Sequence, residues 1–275
     1  MKIFGHKIPF TALIGLVIIA ANAFIAIFGA WISPFDPTDM IGDSWADADA
    51  DHWLGLDNLG RDILSRLIDG ARLSIGLALM ITLLSFSIGI MAGFTAAVAG
   101  KWVDIILSRI VDLLLSLPTL IFAFVVLSVL GTDIPVLVIT LAILDSTRVF
   151  RLSRSVAVNI NALDFVEAAK LRGEGLWWII RKEILPNAVP PLVAEFGLRF
   201  SFAFLFIAAL SFLGIGVQPP DADWGSMVRD YRDMISLDGM QPLYPAAAIA
   251  ILTIGINFVV DWILAVHSNS TTTEP

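Results

Sequence analysis

The first pattern in the chain that could do chemistry is a run of alternating aspartates. Asp47, Asp49 and Asp51 are separated by alanines, and carboxylates at alternate positions are how a calcium-binding loop begins. Such a loop needs glycine at its sixth position and glutamate at its twelfth, where this chain has His52 and Asn58. We therefore interpret the run as part of a solvated acidic loop rather than as a calcium site.

Residue patterns that support catalysis or cofactor binding are missing from the sequence. There is no cysteine, and His6, His52 and His267 are too far apart in sequence to suggest a metal site. No nucleotide-binding loop of the G-x4-G-K-[ST] type is present, so ATP hydrolysis is not expected on this chain. The serines and aspartates form no catalytic constellation. The sequence predicts a protein that is not an enzyme and holds no cofactor of its own.

Two charged residues stand inside long apolar runs, where an ion is energetically costly. Asp145 and Arg199 each lie about ten residues into a run, and a helix rises about 1.5 Å per residue, so both are expected near mid-depth of a bilayer about 30 Å thick. Two roles for Asp145 fit this position. Either it lines a translocation path and offers a carboxylate to a cationic group such as a peptide amine, or it is structural and pairs with Arg148 or Arg199. Glu195 is an alternative partner for Arg199.

These charges are exceptions in a strongly apolar chain. Hydrophobic residues make up 57% of it and charged residues 15%, against about 25% charged residues in an average soluble domain, and the mean hydropathy is +0.86. Crossing a bilayer takes about 20 apolar residues. Six runs are long enough, and we expect transmembrane helices at residues 11–32, 74–99, 105–130, 134–152, 190–216 and 244–266. The predicted fold is an all-α integral membrane protein with six transmembrane helices.

The first apolar run is interpreted as a retained span rather than a secretory signal peptide. It extends from Ile8 to Ile32, which is longer than the roughly 7–15 residues of a signal-peptide core. The triplet Ala21-Asn22-Ala23 has the composition of a cleavage site but lies inside the run.

Basic residues are unequally distributed between the connecting segments, and this predicts the orientation. With the N-terminus in the cytoplasm, most lysines and arginines fall on the cytoplasmic side, and the opposite side holds Arg61, Arg66, Arg72, Arg229 and Arg232. The expected topology is therefore N-in, C-in, with membrane lipid as a partner. The net charge of −8 argues against nucleic acid as a partner, because phosphate neutralisation needs clustered basic residues.

The longest predicted cytoplasmic segment, residues 153–191, contains two short helices. Asp164 is expected to cap the first helix, with Glu167 three residues later as its capping-box partner. Gly173 is expected to end it, because glycine tolerates the left-handed C-terminal conformation. The second helix is predicted over Leu176–Ile184.

Prolines and small residues complete the prediction for this segment. Pro186 is expected to end the second helix, and Pro190 and Pro191 to mark the entry to the fifth span. Small residues on the first helix would let a partner surface approach closely, although the helix could equally pack against the spans of its own chain. The residues expected to share that face are Phe165, Ala168, Ala169 and Arg172.

Three blocks of the sequence resemble the permease subunits of ABC importers in the dipeptide, oligopeptide and nickel family. The EAA loop of these permeases, E-A-A-x3-G-x9-I-x-L-P, is matched by Glu167-Ala168-Ala169, Gly173 and Leu185-Pro186, with Glu183 at one apolar position as the single departure. The second block is Leu54-Gly55-x-Asp57-x-x-Gly60-Arg61-Asp62-x-Leu64-Ser65-Arg66-Leu67, continued by Gly70-Ala71-Arg72-x-Ser74. The third is Leu210-Ser211-Phe212-Leu213-Gly214-x-Gly216-Val217-Gln218-Pro219-Pro220, followed by Trp224-Gly225. The chain resembles the shorter, C-type permease of the family.

Local chemistry agrees with the third block. Gly214 and Gly216 are expected to end a long apolar helix, and Pro219-Pro220 forbid its continuation. For Trp224 we expect the role of an interfacial aromatic rather than a substrate contact.

The resemblance implies a set of partners and a mechanism. The family works as two homologous permease chains, two ATPase subunits that bind ATP and Mg, and an extracytoplasmic solute-binding protein, in the bacterial cytoplasmic (inner) membrane. Its EAA helix sits in a groove of the ATPase and transmits ATP-driven closure to the spans, giving alternating access. The residues to which the resemblance assigns this coupling are Asp164, Glu167, Ala168, Ala169, Gly173, Leu185 and Pro186.

Cargo and rival functions remain as alternatives. The resemblance implies import of di- or oligopeptides or peptide-like solutes, with nickel complexes or opines as alternatives within the family. A self-contained secondary transporter is a rival from another class, but such transporters are usually built from repeated halves, and the sequence has no visible repeat.

The expected organisation follows from the spans. Residues 1–33 are a cytoplasmic stub and the first span, 34–73 an outer acidic connector, 74–266 a five-span permease core with the coupling loop 153–191, and 267–275 a polar tail. The connector is expected to end in an amphipathic helix at the outer interface, formed by Ile63, Leu64, Leu67, Ile68 and Ala71.

Overall fold

The computed structural model describes residues 2–3, 6–7 and 9–271, with side chains described for residues 9–266. About three quarters of these residues are helical, and the acidic connector, residues 33–62, is the longest non-helical segment among them. The α-helices are α1 (Phe10–Ile32), α2 (Ile63–Val98), α3 (Lys101–Ser116), α4 (Thr119–Leu130), α5 (Ile134–Asn161), α6 (Asp164–Leu171), α7 (Leu176–Ile179), α8 (Leu185–Phe212), α9 (Trp224–Tyr231) and α10 (Leu243–Thr271). Two two-residue strands, β1 (Lys2–Ile3) and β2 (His6–Lys7), pair antiparallel.

Four helical stretches among the described residues are long and apolar enough to cross a membrane. They are Phe10–Ile32, Ile63–Val98, Leu176–Phe212 and Leu243–Val266. The pair α3 and α4 qualifies as a fifth only if the two helices are taken together. The helix α5 covers the predicted fourth span, but Asp145, Arg148 and Arg151 interrupt its apolar run. An all-helical membrane protein is therefore confirmed.

The helix predicted at the end of the acidic connector is present and leads into the second span, since both are part of α2, which runs from Ile63 to Val98 without interruption. Two other predicted boundaries were wrong, because a helix breaks or continues where the hydropathy pattern gave no sign. The predicted third span is broken at Pro118, where α3 and α4 bend by 88°. The fifth span does not begin at Pro190, because the helix already runs from Leu176.

The described residues fall into two compact units. The first is drawn from Met1–Leu79, Leu130–Leu137 and Phe200–Pro275, and the second comprises Met80–Val129 and Val138–Arg199.

In the first unit, the first and last helices of the chain pack closely against each other. A Cβ atom added at Gly15 of α1 would lie only 2.5 Å from the carbonyl oxygen of Gly255 in α10. A Cβ added at Gly255 would in turn lie 2.6 Å from Ile18. Small residues let membrane helices approach to backbone contact, so this glycine pair fixes where α1 and α10 meet.

In the second unit, α2 and α5 meet in the same way. Gly89 and Gly93 lie one turn apart on α2, and a Cβ at Gly93 would come within 2.3 Å of the Ser153 hydroxyl oxygen. That hydroxyl donates to the Gly89 carbonyl at 3.0 Å. The contact holds α5 firmly against α2 just before α5 leads into α6.

Candidate functional site

The predicted coupling helix exists, but its N-terminus is not capped as expected. α6 begins at Asp164 as predicted, and the capping position is Leu163, which makes no side-chain cap hydrogen bond. Its backbone carbonyl accepts from the N–H groups of Val166 at 3.0 Å and Glu167 at 3.2 Å. The predicted capping box of Asp164 and Glu167 was therefore wrong. Both carboxylates lie in the first turn, where they interact favourably with the positive end of the helix dipole.

The C-terminus of α6 is capped by glycine as predicted. Gly173 has φ of +83°, a left-handed conformation that residues with a Cβ adopt at a penalty. Its N–H donates to the Lys170 carbonyl at 2.9 Å, and the N–H of Glu174 reaches back to Ala169 at 3.2 Å. This pair of bonds is a Schellman motif. No atom lies within 4 Å of the Cβ position of Gly173, so the glycine is needed for its backbone angle and not for space.

One face of α6 is buried and the other is open. Val166 and Ala169 are both fully buried. Val166 packs in a core formed with residues of α2, α5, α7 and α8. The prediction that Ala168 and Ala169 share an open face was wrong, because adjacent helical residues point about 100° apart. Ala168 is exposed, together with larger apolar side chains of this segment: Leu163, Phe165, Leu171, Leu176 and Trp177.

The second predicted helix does not end at Pro186. α7 passes into a π-helical turn, Ile180–Ile184, and then directly into α8, which contains Pro186, Pro190 and Pro191. A π turn changes the pattern of backbone hydrogen bonding, so that the chain can pass a proline without leaving the helix. Leu185 and Pro186 are exposed at the start of α8.

The one departure from the EAA pattern has a structural partner. Glu183 lies 4.0 Å from Arg172, the C-capping residue of α6, measured between Oε1 and Nη2. The guanidinium of Arg172 also lies 5.8 Å from the ring centre of Trp178. Glu183 and Trp178 therefore help to hold the end of α6 against the helix that follows. Sequence reasoning missed Trp178, because nothing in its local pattern distinguishes it from the neighbouring Trp177.

Asp145 and Arg199 are brought together within the second unit. Arg199 Nη1 lies 3.5 Å from Asp145 Oδ1, and its Nε lies 2.7 Å from Glu195 Oε1. Asp145 also accepts from the Ser85 hydroxyl at 3.2 Å and lies 3.9 Å from Arg148. Each ion pair considered from the sequence is thus present at the same time. The Asp145–Arg199 pair connects α5 to α8, and the Ser85 hydrogen bond connects α5 to α2.

The family block before the second span forms a buried network of charges. Asp57, with no exposed surface, accepts from Arg61 Nε at 2.8 Å and lies 3.3 Å from Arg66 Nε. Asp62 caps α2 by accepting from the N–H and hydroxyl of Ser65, both at 2.7 Å. Its other oxygen lies 3.2 Å from His52 Nδ1.

The residues of the family block after the fifth span bond mainly to one another. Gly214 has φ of +88°, and bonds from Gly214 to Ser211 and from Ile215 to Leu210 form a second Schellman motif. A Cβ at Gly216 would lie 2.0 Å from the Ser211 hydroxyl oxygen, which accepts from the N–H of Val217. The glycine prediction for Gly214 is confirmed, whereas Gly216 is required by close contact.

Trp224 is not an interfacial aromatic. It is 3% exposed, and its indole N–H donates to the Leu67 carbonyl at 2.9 Å. Its ring packs edge-on against Phe204. The preceding residue, Asp223, completes a capping box with Ser226, and burial raises the pKa of its carboxyl group against the lowering effect of these hydrogen bonds. The expectation for Trp224 failed because its contacts are distant in sequence.

Two family models match the chain. Residues 85–272 match the family described as "Binding-protein-dependent transport system inner membrane component", and residues 11–51 match "N-terminal TM domain of oligopeptide transport permease C".

Three relatives cover nearly the whole chain. A di/tripeptide transport system permease protein DppC of Pseudomonas aeruginosa (strain UCBPP-PA14) is 36% identical, covering 91% of this chain and 87% of the relative. A dipeptide transport system permease protein DppC of Alkalihalophilus pseudofirmus is 34% identical, with coverage of 91% and 83%. A nickel transport system permease protein NikC of Escherichia coli (strain K12) is 34% identical, with coverage of 90% of each chain. The chain therefore belongs to the binding-protein-dependent transport system inner membrane components, the permease subunits of bacterial ABC importers.

Proposed function

We propose that the chain forms one half of the translocation pathway of an importer for dipeptides, oligopeptides or peptide-like solutes. The observation that carries the proposal is the open apolar face of α6 and the turn after it. Leu171 of α6 and Trp177 of α7 are exposed there, while Val166 and Ala169 bury the opposite side of α6 and Val166 packs into the core behind it. An exposed apolar patch on a rigid element is typical of a protein–protein contact. The names of the two DppC relatives support a peptide cargo.

The partner for this face is an ATPase subunit. ATP and Mg bind to two such subunits, and this chain hydrolyses no nucleotide. A second homologous permease chain and an extracytoplasmic solute-binding protein complete the importer. The coupling residues are Asp164, Glu167, Ala168, Gly173 and the Leu185-Pro186 pair, with Ala169 acting from the buried side of the helix.

The chain crosses the inner membrane six times, with both termini in the cytoplasm. The crossings involve α1, α2, the α3–α4 pair, α5, α8 and α10. This assignment puts the basic segment 153–191 inside and the acidic connector 34–73 outside, as the positive-inside rule requires. The permease core is residues 74–266, preceded by the first span in residues 1–33 and followed by the polar tail 267–275.

Coupling follows from the connectivity of the loop. α5 runs into α6, and α6 is tied to α7 and α8 by the buried core and by Arg172. Closure of the ATPase dimer pushes α6, and because α5 and α8 flank it, both helices move with it. The pathway then alternates between inward and outward access.

Asp145 and Arg199 remain the candidates for the translocation path. The ion pairs around Asp145 favour a structural role, in which it joins α5 to α8. Asp145→Asn distinguishes the two roles. A structural role predicts poor assembly, partly rescued when Arg199 or Arg148 is also neutralised. A path role predicts a stable complex in which transport of cationic cargo falls selectively. Unchanged assembly and unchanged transport of every cargo would reject both.

The proposed function is tested by purifying the tagged chain in mild detergent and reconstituting it with its partners. We expect two ATPase chains and a second permease to co-elute, and ATPase activity to rise with the binding protein and a dipeptide. A chain that purifies alone and transports without ATP would show a secondary transporter instead.

Import of a nickel complex is the second candidate, because a nickel permease relative matches the chain over nine-tenths of its length. The same reconstituted complex decides between the cargoes. Stimulation by nickel chelates but not by di- or oligopeptides would replace the peptide proposal and leave the assignment as a permease intact. Opines are tested in the same series.

A further inference from the structure

Neither α3 nor α4 is long enough to cross a membrane alone. With 16 and 12 residues, they are about 24 Å and 18 Å long, against a hydrocarbon core of about 30 Å. The bend of 88° between them means that when one follows the membrane normal, the other lies nearly in the membrane plane. The break is at Pro118, preceded by Leu117 in an extended conformation, as proline requires of the residue before it.

Two ion pairs between α3 and α5 indicate how the two helices are oriented relative to each other. Asp104 pairs with Arg154, whose Nη2 lies 2.6 Å from Oδ2, and Asp112 pairs with Arg151 at 2.8 Å. The two aspartates are eight residues apart on α3, and their arginine partners are three residues apart on α5. At a rise of about 1.5 Å per residue, these separations are about 12 Å along α3 and about 4.5 Å along α5. The unequal spacing is consistent with α3 crossing α5 at an angle rather than lying alongside it.

The surface of α3 has two different faces. Leu107, Val111 and Leu115 pack inward, against Ala96 of α2 and Phe150 of α5. The opposite face is exposed and mostly apolar, with Trp102 78% exposed at its start. The other exposed apolar side chains of this face are Ile105, Ile106, Ile110 and Leu113.

The charges on α3 are arranged so that the exposed face is basic. Both of its aspartates are paired with arginines of α5. Lys101 and Arg109 are exposed beside and within the apolar face, and no ion pair involving either is found among the described residues. An apolar face with tryptophan and basic residues is typical of a helix that lies on a membrane surface. A long basic side chain can extend from an apolar surface to reach a lipid phosphate.

We propose that α3 lies in the plane of the cytoplasmic leaflet, at the level of Arg151 and Arg154, and binds anionic lipid headgroups through Lys101 and Arg109. The third crossing is then made by α4 together with the non-helical residues 117–118 and 131–133 that flank it. The cytoplasmic side rests on the topology given under the proposed function, but the in-plane position does not.

The depth of spin labels along α3 tests the in-plane position. The chain has no cysteine, so single cysteines can replace Trp102, Ile106, Ile110 and Leu113, which lie along one stripe. In lipid nanodiscs, an in-plane helix gives nearly equal depth at all four sites from the ratio of oxygen to nickel-chelate accessibility. A spanning helix would instead change depth by about 16 Å over these eleven residues.

α1 provides the matched control, since Phe10, Val17, Phe24 and Trp31 form an exposed stripe on a helix long enough to span. Their labels should show greatest depth in the middle of the helix. Depth that changes steadily along α3 would overturn the proposal. Exclusion of both probes from all four α3 sites would also overturn it, because a protein partner would then cover the face.

Headgroup binding is tested by the Tm of the assembled importer in nanodiscs with and without phosphatidylglycerol. We expect this lipid to raise the Tm, and the double variant Lys101→Gln/Arg109→Gln to lose the increase. Arg109→Lys should keep it, as should Arg232→Gln, an exposed arginine elsewhere. A full increase in the double variant would show that the basic residues do not bind the headgroups. If the topology proposal fails but the labels on α3 report equal depth, α3 is in-plane on the other leaflet.

Discussion

The connector before α2 and the coupling loop after α5 both contain residues that match the family. The acidic residues among them are buried and hydrogen-bonded in the connector, but exposed in the loop. In the connector, Asp57 and Asp62 are fully buried and are hydrogen-bonded within the chain. In the loop, Asp164 and Glu167 are exposed, and no side-chain hydrogen bond to either is found among the described residues. Residues whose bonding is complete within the chain serve the fold. Residues left open on a short helix are available for the contact proposed with the ATPase.

If this comparison holds, substitutions in the outer blocks reduce stability, and substitutions in the coupling loop reduce function at nearly unchanged stability. The largest expected effect on stability is at Asp57. Asp57→Ala leaves the guanidinium groups of Arg61 and Arg66 buried without their carboxylate, and breaking a buried pair in this way costs about 3–5 kcal/mol.

Tm in detergent measures this effect, and we expect poor yield of the folded variant. Asp43→Asn, in the exposed part of the same connector, is the control and should behave as the wild type. A wild-type Tm for Asp57→Ala would mean that the buried network contributes nothing to the fold.

Gly216→Ala is expected to have the next largest effect. The added methyl group would lie within 2.5 Å of backbone atoms of Ser211, which cannot move aside without disturbing the end of α8. Overpacking of this kind costs about 1–3 kcal/mol. Thermal unfolding of the purified subunit should show the loss, and Gly76→Ala, at a helical glycine with open space, should not. Equal Tm values for the two variants would contradict the close contact.

Gly173→Val should separate stability from function. The position is open, so only the left-handed backbone conformation is penalised, at about 1–2 kcal/mol. We expect the spans to remain inserted, the Tm to fall slightly, and transport to be lost because the end of α6 is displaced. Wild-type transport by this variant would show that the loop is not the joint with the ATPase.

Glu167→Lys should have the smallest effect on stability. Its side chain is exposed in the first turn of α6, and reversing its charge at a helix N-terminus costs about 0.3–1 kcal/mol. Co-purification should nevertheless show weakened association with the ATPase subunits. Glu174→Lys, just beyond the helix, is the control for charge. If the two variants retain the ATPase equally, Glu167 has no specific role in docking.

The sequence predicted the fold class, the existence of α6, and the glycine caps at Gly173 and Gly214, because these depend on local composition and backbone angles. The bend between α3 and α4 also had a local signal. Pro118 lies inside the predicted span, but apolar residues continue on both sides of it, and this apolar run predicted one continuous helix.

The features that the sequence could not predict depend on distant contacts. The ring of Trp224 is buried by Phe204, and its indole binds a carbonyl of α2. A π turn precedes Pro186 and the helix continues through it, but no pattern in residues 180–184 predicts that turn. Asp145 could be given several possible partners from the sequence, but only the fold brings Arg148, Arg199 and Ser85 to it together.

The glycine contact between α1 and α10 has a consequence for biosynthesis. α1 leaves the ribosome first and α10 last, so the groove around Gly15 stays empty while every intervening helix is made and inserted. A chain interrupted before α10 would carry that groove uncovered in the bilayer. The pairing of α1 with α10 therefore forms only after the chain has been translated through α10.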